Sequence, residues 1–159
     1  MTVMHIPATQ VTADPALVEG FRAHYADAFQ VTAAGTHSAR DWAERSLRGA
    51  DAMGGLFARV VWHAILGLRL TPRDTPGTLV GWQIGDDLPD RFVLDSTGGR
   101  MTGRMVFETS GASITWTTMV RFGNPAARGV WAVAAHAHRA LAPRSLDAAA
   151  GSLTRHSQH

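Results

Sequence analysis

The sequence predicts an α+β fold: a curved antiparallel sheet of about six to seven strands packed around a long C-terminal helix, with two shorter helices after the first strand. Two observations carry this reading. From Thr78 to Phe122 strand-like segments follow one another with only turn residues between them, so they pair with each other instead of alternating with helices. The last segment then runs directly into a long helical stretch with an apolar side, and a single sheet needs such an element to cover its dry face.

Taken in order, Met1 to Glu19 has Pro7 and Pro15, few large apolar residues and no period, and residues 1–20 are expected to be a tail laid on the surface. His24 to Val31 alternates, with Tyr25, Asp27, Phe29 and Val31 on one face, and is the expected first strand. Thr36 or Ser38 can cap a helix through Arg48 that turns Trp42, Ala43, Ser46 and Leu47 inward. A second helix is expected over Ala52 to Leu66, stopped by Gly67, and Leu68 to Leu70 has the composition of a short strand. Thr78 to Ile84 reads as a strand, Gly85 to Pro89 as a turn and Asp90 to Ser96 as a strand with Phe92 and Leu94 on one face. Gly98-Gly99 and Gly111-Ala112 are hairpin turns flanking a strand in which Met101, Gly103, Met105 and Phe107 share a side.

In the strand that follows, Ile114, Trp116, Thr118, Val120 and Phe122 form the dry side, and Arg104 and Arg121 belong on the outer, solvent side of the sheet. Gly123 frees the backbone, Asn124 caps, and Pro125 opens the long helix. Val130, Ala134, Ala137, His138 and Leu141 fall on one side of it, with Trp131 and Ala135 adjacent. Pro143 should kink or end this helix, Ser145 restart a short one through Ala150, and residues 151–159 form a polar C-terminal tail, leaving residues 21–150 as the folded domain.

Composition excludes several chemistries. There is no cysteine, hence no disulfide framework and no thiolate ligand or nucleophile. The sequence pI of about 10.3 does not report a basic surface. All 15 basic residues are arginine against 13 acidic ones, and with no lysine and one tyrosine almost nothing loses a proton at moderately high pH. The arginines are scattered along the chain, so no nucleic-acid partner is indicated. Arginine without lysine, together with abundant alanine and glycine, fits the codon usage of a high-GC bacterium. No apolar stretch is long enough to span a membrane and no signal segment opens the sequence, so the expected location is cytoplasmic.

The motifs YADAF (Tyr25 to Phe29), GRMVFE (Gly103 to Glu108) and TTMVRFGNP followed by VWAVAAHAHR resemble a bacterial family of unknown function within the SRPBCC superfamily, which includes START-like lipid carriers and polyketide cyclases. The resemblance covers roughly Phe21 to Ala150 and implies the helix-grip fold. It also implies a deep apolar pocket between sheet and C-terminal helix, serving a hydrophobic small molecule. In such a pocket Phe29, Trp82, Met101, Met105, Phe107, Trp116, Trp131 and His138 would contact the ligand; without one, the same side chains would fill a solid core.

Asp27 is the sharpest chemical signal, because a carboxylate on the dry strand face would have a raised pKa and can act as general acid or base, or simply bond a neighbour. Tyr25 and His138 complete the catalytic candidates. His136 and His138 are two positions apart on a helix and point to different sides, so they do not form a metal pair. Asp86, Asp87 and Asp90 lack calcium-loop spacing, and the glycine pairs lack phosphate-loop context. No metal and no cofactor is indicated, and no nucleophile elbow is present. Three functions remain open: a binder of a hydrophobic or aromatic molecule, a cyclase or dehydratase acting on a polyketide-like substrate, and a solid-cored interaction or dimerisation domain, with the outer sheet face as the surface for a homodimer.

Overall fold

The computed structural model describes residues 5–33, 35–48, 76–98 and 100–156. Strands β1 (Ile6–Val11), β2 (Tyr25–Thr32), β3 (Thr78–Leu79), β4 (Trp82–Leu88), β5 (Arg91–Thr97), β6 (Met101–Ser110) and β7 (Ser113–Phe122) form one sheet in the order β1-β2-β7-β6-β5-β4-β3, antiparallel at every pairing. Helix α1 (Pro15–Phe21) precedes β2, helix α2 covers residues 39–48, and α3 (Pro125–His156) closes the chain. The architecture is the α+β helix-grip arrangement the sequence predicts. The second expected helix, Ala52 to Leu66, its stop Gly67, and the short strand Leu68 to Leu70 lie outside the described residues. No helix among the described residues is long and apolar enough to cross a membrane.

Register explains how the site is assembled. Across the inner face, Phe29 pairs with Trp116 and Trp116 with Phe107, which in turn faces Phe92, giving a continuous aromatic row. The neighbouring row is Asp27, Thr118, Met105 and Leu94. Trp42, Ala43, Ser46 and Leu47 of α2 are all buried, as their helical spacing predicts. Arg40 anchors that helix to the β4–β5 hairpin by pairing with Asp87 at 2.6 Å and lying over the Phe92 ring.

The junction between β7 and α3 follows its sequence signals. The Ala127 backbone N–H donates to Asn124 Oδ1 at 2.8 Å, satisfying one of the donors a helix start leaves open. Asn124→Ala is expected to cost about 1 kcal/mol of stability in a urea titration, with the unfolding slope unchanged. The stripe on α3 is rotated from the expected one. The buried line is Ala127, Trp131, Ala135, Ala142, Leu146, Ala149 and Leu153, whereas Leu141 is 47% exposed and Ala137 points outward. Alanines occur on every side of this helix, so pattern alone fixes its rotation poorly; the large Trp131, Leu146 and Leu153 decide it.

Pro143 neither ends nor restarts the helix, which continues to His156, so residues expected in a polar tail are helical and Leu153 is buried. Proline removes one helical hydrogen bond, but packing beyond it compensates. Asp147 Oδ1 accepts the Ala8 N–H of β1 at 2.8 Å, and Arg45 of α2 donates to Ser152 Oγ at 2.5 Å.

The expected surface tail is also corrected: residues 6–11 are an edge strand paired with β2, and α1 follows, capped by Asp14 accepting the Ala16 N–H. Helix α1 lies over the outer sheet face, where Phe21 joins Val93, Val106 and Met119 in a second small core. Arg104 and Arg121 are on the outer side as expected, but both lie on the Phe21 ring, at 4.9 and 4.6 Å, and Arg104 also pairs with Asp95.

Two turns differ from the reading of the sequence. Val80 and Gly81 both have positive φ, 46° and 89°, and fold the segment expected to be one strand into the β3–β4 hairpin. A β-branched residue rarely adopts that conformation, so Thr78-Leu79-Val80 reads as strand. Conversely, β4 continues to Leu88 through the expected turn, its pairing to β5 shifting in a bulge between Ile84 and Asp87, where a side chain at Gly85 would meet Asp95 and Val93. The Gly111 turn is as expected, with positive φ at glycine and none at Ala112.

Candidate functional site

The three chemical candidates, Asp27, Tyr25 and His138, meet. Successive odd positions of β2 turn Tyr25 and Asp27 to the same inner face, and α3 crosses that end of the sheet with His138 two turns after Trp131. The Tyr25 hydroxyl donates to Asp27 Oδ2 at 2.5 Å, and His138 Nε2 lies 3.2 Å from Asp27 Oδ1. Asp27 is only 3% exposed, so both its oxygens are committed to partners inside the protein. Arg139 Nη1 donates to the Tyr25 oxygen at 3.3 Å, extending the chain of contacts to the surface. Arg139 went unnoticed in the sequence, where it is one more scattered arginine at the end of the stripe.

Aromatic rings enclose this network. Tyr25 meets Trp131 edge-on with centroids 5.2 Å apart, and the His138 ring stands 5.9 Å from Trp116 and 5.7 Å from Trp131. Trp116 is stacked on Phe107 at 5.1 Å. Phe29, Trp82, Met101, Met105, Phe107, Trp116 and Trp131, read from the sequence as ligand contacts, are all buried in one cluster, and His138 sits at its edge.

Among the described residues, Trp116 Nε1 and Trp131 Nε1 of that cluster, and Thr118 Oγ1 beside it, are shut away without a hydrogen-bond partner. Thr118 is the cross-strand neighbour of Asp27, while Trp116 and Trp131 flank His138. Leaving a buried donor unpaired costs about 1–3 kcal/mol, and buried polar groups are nearly always paired. A threonine in the dry alternation of β7 was the sequence signal for this feature; the unpaired indole nitrogens had none.

Burial pushes the Tyr25 hydroxyl pKa up to about 12, reinforced by the hydrogen bond to Asp27 and its charge and opposed by Arg139. The hydroxyl therefore remains a donor throughout the physiological range. Its folded pKa lies above the unfolded value of 10.0, so the associated stability is complete below pH 10.0 and is lost as pH rises towards about 12. Because the sequence has a single tyrosine, the tyrosinate absorbance reads this group alone. Titrated while folded, it should ionise near 12, and Asp27→Asn should lower the midpoint. A wild-type midpoint at 10.0 would contradict the network.

The other candidates separate from this site. His136 is exposed and sits 3.4 Å from Arg139 Nη2. Asp86 and Asp87 pair with Arg91 and Arg40. His63 and His159 lie outside the described residues. Among the described residues no three histidine or acidic side chains come together as a metal-binding group. Where β1 leaves β2 after Ala28, an open groove of about 720 Å³ forms between residues 10–13, Val18 and Ala26, and it reaches Asp27.

No family model, curated protein or solved structure matches this chain.

Proposed function

We propose that the protein binds a small, mostly apolar molecule that carries a hydrogen-bond acceptor such as a carbonyl, held between the inner sheet face and α3. The observation that carries this reading is the set of buried, unpaired donors, Trp116 Nε1, Trp131 Nε1 and Thr118 Oγ1, grouped in an aromatic surround. An acceptor placed among them would remove a desolvation cost that the protein alone leaves uncompensated. The resemblance of YADAF, GRMVFE and TTMVRFGNP to the SRPBCC superfamily supports the same location for a hydrophobic ligand. Native mass spectrometry of protein purified without added ligand tests it. A carried mass that is lost in the Trp116→Phe, Trp131→Phe double variant is expected; a carried mass held equally by the double variant would contradict the assigned donors.

A second reading, an enzyme of the cyclase or dehydratase kind, draws on one further observation: the hydrogen-bonded His138 and Asp27 pair beside the same donors. Proton transfer is the chemistry such a pair performs.

A further inference from the structure

Among the described residues, the His138 ring is held at only one of its nitrogens. Nε2 faces Asp27 Oδ1 at 3.2 Å, and Asp27 is itself fixed through its other oxygen by the Tyr25 hydroxyl. A carboxylate only accepts, so the nitrogen facing it carries the hydrogen, and in the neutral ring Nδ1 is the nitrogen with the lone pair. No described residue bonds Nδ1. The ring meets Trp116 edge-on at 5.9 Å and Trp131 at a tilt at 5.7 Å, and the N–H groups of both indoles are buried and, among the described residues, unpaired. An oriented base next to two spare donors is the arrangement needed to remove a proton from carbon and receive the charge that develops on oxygen.

We propose that His138 is a general base, oriented by Asp27, that removes a proton from the carbon beside a carbonyl whose oxygen is held by the indole N–H groups of Trp116 and Trp131. This rests on the binding reading above and adds a reaction to it. The C–H bond breaks and its proton goes to Nδ1. The released pair becomes the carbon–carbon double bond of an enolate, and the carbonyl π pair moves to oxygen between the indole donors. Return of the proton from His138 to a different carbon of the conjugated system regenerates the base and yields an isomer, so the cycle balances with no oxidant, reductant or co-reactant. His138 is the catalytic residue in this scheme and Asp27 a positioning residue.

The probe is 5-nitrobenzisoxazole, an aromatic bicycle whose ring opens when a base takes its single activated C–H proton. The C–H pair forms the nitrile, the N–O bond breaks, and the oxygen leaves as a coloured phenolate. The unreactive isostere 5-nitrobenzotriazole, followed by tryptophan quenching, measures binding separately. The full chain should open the probe with saturation. His138→Ala should lose at least about tenfold in kcat while binding the isostere as wild type does, and added imidazole should restore part of the rate. Asp27→Asn should lower kcat with little change in KM, as loss of orientation without loss of binding requires. Isostere binding with no probe opening above that of free imidazole, or an undiminished rate in His138→Ala, would overturn the base while leaving the binding reading intact. Absence of isostere binding would overturn both.

Discussion

Asp27→Ala is expected to destabilise the protein by about 3 kcal/mol, the scale for removing a buried carboxylate and leaving its hydrogen-bond partners unpaired. The magnitude follows from what is left behind. Asp27 accepts from Tyr25 and pairs with His138, and it is itself buried while its two partners are only partly exposed. Deleting the carboxylate removes the acceptor of the Tyr25 hydroxyl and the partner of His138 Nε2, and it leaves a small void between β2 and α3. Tyr25→Phe, which removes one donor and leaves the His138 contact, should cost about 1 kcal/mol. A urea titration by tryptophan fluorescence orders the two variants; equal costs would mean that Asp27 contributes only through Tyr25.

Trp116→Phe and Trp131→Phe should act in the opposite sense on stability and on binding. Each keeps an aromatic ring near its stacked and edge-on neighbours and removes a buried N–H that has no partner. Because an unpaired buried donor is a cost in the unliganded protein, stability should hold or rise by about 1 kcal/mol per site, partly offset by the smaller ring. Binding of a carbonyl-bearing ligand should weaken about five- to tenfold per site, the value of one hydrogen bond to an otherwise unpaired group. If the indoles served packing alone, stability would fall by the volume lost and affinity would not depend on the acceptor.

Much of this was legible in the chain. Alternation identified the inner faces of β2, β6 and β7, and helical spacing turned Trp42, Ala43, Ser46 and Leu47 of α2 inward, because each pattern contrasts large apolar residues with polar ones. Asp27 stood out as a carboxylate in a dry row, and Tyr25 and His138 were named with it; their meeting depended on how α3 crosses β2, which no local pattern encodes. Helix α3 was misplaced in rotation for want of contrast among its alanines. The strand β1 and helix α1 escaped notice because β1 is a short edge strand and α1 buries only Phe21 fully, so their order comes from the partners they pair with and cover. Val80 was hidden by its own β propensity, and a bulge at Gly85 looked like a turn because glycine serves both.

Whether the buried indole donors near His138 take up an acceptor is read by comparing 1-indanone with indane on protein labelled with nitrogen-15 in its tryptophans. The two molecules share shape and size and differ in a single carbonyl, and indane is the more hydrophobic, so apolar burial alone would favour it. 1-Indanone should bind more tightly and move the indole N–H resonances of Trp116 and Trp131 downfield, each assigned by its phenylalanine variant, while the Trp42 resonance stays in place. Equal or tighter binding of indane, with those two resonances unmoved by 1-indanone, would contradict that uptake.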